Sequence, residues 1–209
     1  MHPLIKPCFI VVLLFFSQAA ISKDYIVEMI FFANSNTGDN SVHISNQALA
    51  PDLGGAISLN QGAQSNGFVP LSSDTFTLSG KADALNKSGK YRVLKHTSWL
   101  QPGLAKEDAI SVRIHAGENY KDEFNERAFT NQPVNELDGT VKIVLGRYLH
   151  LFTDLVYRKT FSLSSHDALG RDRVLADFPV KTHRKMRSST LHYIDHHYLG
   201  ILIEIRPAS

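Results

Sequence analysis

Near the C-terminus, His192, Asp195, His196 and His197 form the densest group of titratable side chains in the chain. Imidazole and carboxylate are the ligands zinc uses when cysteine is absent, and a catalytic zinc needs three of them. The spacing matches no standard ligand motif, and on a β-hairpin successive side chains point to opposite faces. A polar turn with hydrogen-bonded histidines is therefore the plainer alternative to a metal site. A second pattern lies just upstream. Lys181, His183, Lys185 and Arg187 alternate with Val180, Thr182, Arg184 and Met186, so an extended chain would carry a basic stripe along one face. With His192 and Tyr193, these residues supply cationic donors beside a ring that could stack on a ligand. The alternative is a solvated edge-strand face, where lysine discourages aggregation. Gly-x-Ser-x-Gly, His-Glu-x-x-His and Ser-x-x-Lys are all absent from the sequence, so no standard hydrolase nucleophile or zinc motif is present.

The chain around these residues has 209 residues, with 22 basic against 20 acidic side chains and 43% hydrophobic content. That composition suits an ordinary globular domain and excludes wholesale disorder. The near balance of charge argues against nucleic acid as a partner, since such domains are usually lopsidedly basic. The first 22 residues read as a secretory signal peptide. Lys6 precedes the apolar run Cys8 to Phe16, and small residues follow, with cleavage expected after Ala20 or Ser22. The run is too short to cross a bilayer, which takes about 20 apolar residues. Cleavage would remove Cys8, the sole cysteine. The mature chain, 23–209, is then expected to be a single periplasmic domain without disulfides, without a stable membrane span and without a thiolate nucleophile.

Several elements can be read along that domain. Tyr25 to Phe32 is apolar on both faces, which suits a central strand. Residues 34–73 turn to Asn, Ser, Gly and Gln, an expected flexible loop that is either a variable surface segment or a functional lid. Ser79 to Ser88 reads as a short helix with Gly89 at its C′ position. Tyr91 to Leu100 and Ala109 to Ala116 read as strands, the second with Val112 and Ile114 alternating against polar residues. From Asp138 to Lys159 apolar residues recur at even spacing, which predicts one long strand in preference to a helix. Phe178 to Arg187 and Leu199 to Ile205 read as the two arms of a β-hairpin closing an antiparallel sheet. The fold class expected is α+β, a largely antiparallel sheet with one or two small helices. Two charges interrupt apolar rows, Glu28 in the first strand and Arg147 in the long one. A buried charge without a partner is costly, so the two are expected to form a structural ion pair, with Arg184 the alternative partner for Glu28.

Three ordered blocks carry a resemblance to a known family. They are Glu136-Leu137-Asp138-Gly139-Thr140-Val141 with Arg147-Tyr148-Leu149-His150 and Asp154-Leu155; Arg184-Lys185-Met186-Arg187-Ser188; and Leu191-His192-Tyr193-Ile194-Asp195-His196 with Gly200-Ile201-Leu202-Ile203. Together with Tyr25-Ile26-Val27-Glu28 they resemble the CsiV family of peptidoglycan-binding proteins. The match departs at Lys185, where the pattern has a second arginine; lysine keeps the charge and loses the bidentate fork. The resemblance implies a noncatalytic periplasmic protein of a Gram-negative bacterium that binds peptidoglycan and assists cell-wall assembly. No catalytic residue, metal or cofactor is carried over. It implies as partners peptidoglycan and a cell-wall synthase or its activator. The ligand-binding residues expected are Lys181, Arg184, Lys185, Arg187, His192 and Tyr193, since wall peptides present carboxylates and wall sugars present stacking faces. The competing reading is a periplasmic enzyme of cell-wall metabolism, with or without a metal, that uses the His192, Asp195 and His196 cluster.

Overall fold

A computed structural model describes residues 23–35, 48–59, 64–127, 133–167 and 169–208. The expected signal peptide, with Cys8, and much of the 34–73 loop lie outside the described residues.

The first strand, β1 (Asp24–Asn34), is central because both of its faces are apolar. It pairs with β3 (Tyr91–Pro102) on one side and β9 (Leu199–Pro207) on the other, in antiparallel register. The short β2 (Val69–Pro70) and β8 (His192–Asp195) complete a five-stranded sheet in the order β2-β3-β1-β9-β8. The second sheet has four strands, β4 (Ser111–Asn119), β5 (Asn135–Leu145), β6 (Leu149–Ser162) and β7 (Arg173–Met186), in simple sequence order. Inward-facing side chains of both sheets share one core. Val27, Met29, Phe31, Trp99 and Ile203 meet Ile114, Leu137, Leu151 and Leu155 there, all essentially inaccessible to water. The one α-helix among the described residues, α1 (Ser79–Lys87), covers the outer face of the five-stranded sheet. There Leu78 and Ala82 pack on Ile30 and Phe32. Antiparallel sheets with small helical content are the α+β class that the sequence indicates.

Three expectations fail, each for a local physical reason. The stretch Asp138 to Lys159 is not one strand: a turn at Gly146, Arg147 and Tyr148 divides β5 from β6, which pair from Leu145 and Leu149 outward. Phe178 to Met186 does not pair with the C-terminal strand. It lies along β6 in the other sheet, and the hairpin arm facing β9 is β8. Glu28 does not pair with Arg147, which is exposed in the β5–β6 turn and lies over the Tyr148 ring. Nor does it pair with Arg184, exposed near the end of β7.

Glu28 is 0% exposed and serves the helix. Its carboxylate accepts from the Leu78 N–H (2.8 Å) and from the Thr77 N–H and hydroxyl (3.0 and 2.7 Å). The Leu78 N–H, at the N-cap, is one of the backbone donors that every helix leaves unpaired at its start, and Leu78 has no side chain able to cap the others. Arg206 (3.3 Å) and His96 (2.9 Å) complete the shell. The other buried carboxylates are similarly held: Glu136 by Arg92 (2.5 Å), Asp138 by Arg113 (3.1 Å) and Asp177 by Arg158 (3.5 Å).

The described part of the 34–73 loop is docked against the body. The Leu49 N–H donates to Asp177 (2.7 Å), and its carbonyl accepts from Arg158 (2.9 Å). Ile57 then bridges to Val112 on the β4 edge. Segment 48–57 therefore crosses the outer face of the four-stranded sheet from β6 and β7 to β4.

Candidate functional site

The outer face of the four-stranded sheet carries the arrangement best suited to chemistry. Cross-strand register sets it in rows. Lys142 of β5 lies beside Phe152 of β6, which lies beside His183 of β7. One row along, Thr140, Asp154 and Lys181 are neighbours in the same order, and on the other side Val144, His150 and Lys185. Directly opposed side chains on one face of a sheet are in contact range. The Phe152 and His183 rings are stacked, with centroids 4.2 Å apart and planes 3° from parallel. His150 Nδ1 and His183 Nε2 share a hydrogen bond of 3.0 Å, which fixes the His183 ring. The Lys142 ammonium lies 5.9 Å from the Phe152 centroid, and Lys181 pairs with Asp154 at 3.2 Å. At the rim, the Lys185 ammonium sits 3.2 Å from the Tyr148 centroid, a cation–π contact at an exposed ring.

Two depressions share this platform. One, of about 500 Å³, has Thr140, Lys142, Asp154 and Lys181 on its floor and Asp52 and Gly54 of the crossing segment as a wall. The other, of about 390 Å³, is more apolar and lies between the β5–β6 turn and residues 105–107. Phe152 and His183 line both. A larger depression of about 730 Å³ lies elsewhere, between Phe124, Leu175 and Arg171. Its arginine is already held by Glu126 (2.6 Å) and Asp167 (2.7 Å) and covers the Phe124 ring, which leaves it little to offer a ligand.

The structure does not place the six residues expected from sequence on one face. Lys181 and Lys185 share the platform face. Arg184 is exposed on the opposite side of β7, in the row of Val180 and Met186, and Arg187 lies just past the strand end. His192 is half-buried and bonds the Arg187 backbone N–H (3.1 Å). Tyr193 belongs to the other outer surface, where it stacks on Phe32 (6.1 Å, 15°) near α1 and donates its hydroxyl to Asp195 (2.6 Å). Burial and that bond push the Tyr193 hydroxyl well above its ordinary value.

The histidine cluster is dispersed as well. Asp195 is engaged by Tyr193, and His196 sits in the β8–β9 turn, where burial and then His197 hold its imidazole below the ordinary value. Among the described residues no three His, Cys, Asp or Glu side chains are placed to hold a metal ion. The structure does not bring His192, Asp195 and His196 together as a metal-ligand set. Lys142 and Phe152, which the platform brings together with His183 and Asp154, are not singled out by the sequence. In the sequence Tyr148 to His150 and Asp154 stand out only as parts of the family resemblance.

The whole described domain matches one family. The model of the CsiV peptidoglycan-binding proteins aligns with residues 5–208. The chain belongs to the CsiV family. Comparison with curated proteins and with solved structures gives no match. For a CsiV protein the platform is chemically apt. A saccharide presents a C–H face that packs on aromatic rings, while lysines and hydroxyls around the rings meet its polar edge. No helix among the described residues of this CsiV chain is long and apolar enough to cross a membrane.

Proposed function

We propose that this CsiV protein is a noncatalytic, exported peptidoglycan-binding domain that engages the wall through the outer face of its four-stranded sheet and so assists cell-wall assembly in the periplasm. The observation that carries the reading is the Phe152–His183 stack, open to solvent between two depressions and bordered by Lys142, Lys181 and Lys185. A flat aromatic surface takes a sugar ring, and the cations take the carboxylates that wall peptides present. The apparatus through which a wall binder would assist assembly is a synthase or its activator.

Co-sedimentation of the purified protein with cell-wall sacculi tests the reading. Phe152→Ala is expected to weaken binding about tenfold, the worth of a stacked aromatic contact, with the thermal transition lowered by only a few degrees. Raising salt is expected to weaken binding of the native protein further, because exposed charges are screened over about 8 Å at physiological ionic strength. Sedimentation indifferent to both Phe152→Ala and salt would remove this face as the wall-binding surface.

A further inference from the structure

The polar depression beside the platform holds charges of both signs. Lys142 and Lys181 stand against Asp154 and Asp52. Lys181 and Asp154 pair with each other (3.2 Å). Among the described residues Lys142 has no carboxylate within ion-pair distance, its contact being the Phe152 ring. Asp52 is exposed, and its Oδ1 accepts from the Gly54 N–H (2.9 Å), which directs the carboxylate at a turn in the crossing segment. A neutral sugar chain would use none of these charges. A ligand carrying carboxylates alone would gain from Lys142 and be repelled by the two aspartates. A segment bearing carboxylate and ammonium groups together complements both. About 500 Å³ also falls within the range of sites that enclose a ligand of several residues or rings.

We infer that the groove reads a peptide-substituted sugar: the ring lies on Phe152 and His183, and a zwitterionic peptide stem, one containing a diamino acid, lies in the depression between Lys142 and Asp52. Lys142 takes a stem carboxylate and Asp52 takes the side-chain ammonium. This assignment rests on the peptidoglycan reading above and adds which part of the polymer is recognised.

The test uses two soluble probes cut from sacculi, the wall disaccharide with a tetrapeptide stem containing a diamino acid and the same disaccharide without peptide, titrated calorimetrically into the purified protein. The stem-bearing probe is expected to bind at least about tenfold more tightly, the worth of one charge-assisted hydrogen bond. Lys142→Met and Asp52→Asn are each expected to remove most of that difference. Asp52→Asn is an exposed change on a turn, so it reports on binding even if Lys142→Met perturbs the sheet. Equal affinity for the two probes, or a preference that survives both substitutions, would overturn the inference while sacculus binding still stood. Loss of sacculus binding by the native protein would instead overturn the peptidoglycan reading itself.

Discussion

Glu28→Ala is expected to destabilise the protein by about 3 to 5 kcal/mol, the range for removing one partner of a buried charge pair. At roughly 2 to 4 °C per kcal/mol for a chain of this size, the thermal midpoint should fall by about 10 °C. The effect is large because one carboxylate satisfies three donors at the start of α1 while neutralising Arg206 and contacting His96. Arg206→Ala should cost much less, since Arg206 is partly exposed and Glu28 would keep its Thr77, Leu78 and His96 partners. Hydrogen exchange provides a sharper readout. In Glu28→Ala the amides of α1 should exchange far faster than those of β5 and β6, because the helix is the element that loses its anchor. Uniform acceleration across both sheets would contradict that account.

The same group predicts an acid limb. Burial raises the Glu28 carboxyl, but the bonds from Leu78, Thr77 and His96 outweigh it and hold the group below the usual carboxylate range. A carboxyl depressed in the folded state contributes stability that is fully present above its unfolded value, near 4.5. That contribution is lost as pH falls through the lower folded value. Stability curves of native protein and Glu28→Gln should therefore converge in acid and separate above about pH 5.

Gly139→Ala is expected to be comparably damaging, at about 3 to 5 kcal/mol, from backbone strain and overpacking combined. Gly139 has φ 144°, a conformation that residues with a Cβ avoid. An added Cβ would overlap the Asp154 carbonyl oxygen and stand 2.6 Å from Leu155 Cα. Both obstacles are backbone of β6 and cannot rotate away. The displacement would fall directly under Thr140 and Asp154, on the floor of the groove, so sacculus binding should decline along with stability. Gly146→Ala is the control. Its φ is not in the left-handed region, and the nearest atom to an added Cβ is 4.0 Å away, so a change within about 0.5 kcal/mol is expected. A Gly139→Ala protein as stable as Gly146→Ala in denaturant titration would refute the close-approach argument.

Local chemistry alone determined the central, doubly apolar β1, the short helix ending near Gly89, the alternating β4, the turn around His196 and the α+β class. Each depends on residues within a few positions of one another. The break between β5 and β6 escaped sequence reading for a geometric reason. The turn occupies three residues, 146–148, so Leu145 and Leu149 keep the same parity and the even spacing runs through it without a slip. Pairing partners escaped it because alternation says which face a residue occupies and not which strand lies alongside. The sequence therefore does not show that β7 lies along β6 instead of β9. Glu28 shows the same limit. Its place in an apolar row signals a buried charge that needs a partner, but Arg206, 178 residues away, is identifiable only with β9 beside β1. The platform is the extreme case. Lys142, Phe152 and His183 come from three strands, and none is exceptional alone; register brings them into one row. Composition and periodicity thus set the elements and their faces. Long-range pairing, which loop-closure entropy and core packing settle together, chose the neighbours and with them the site.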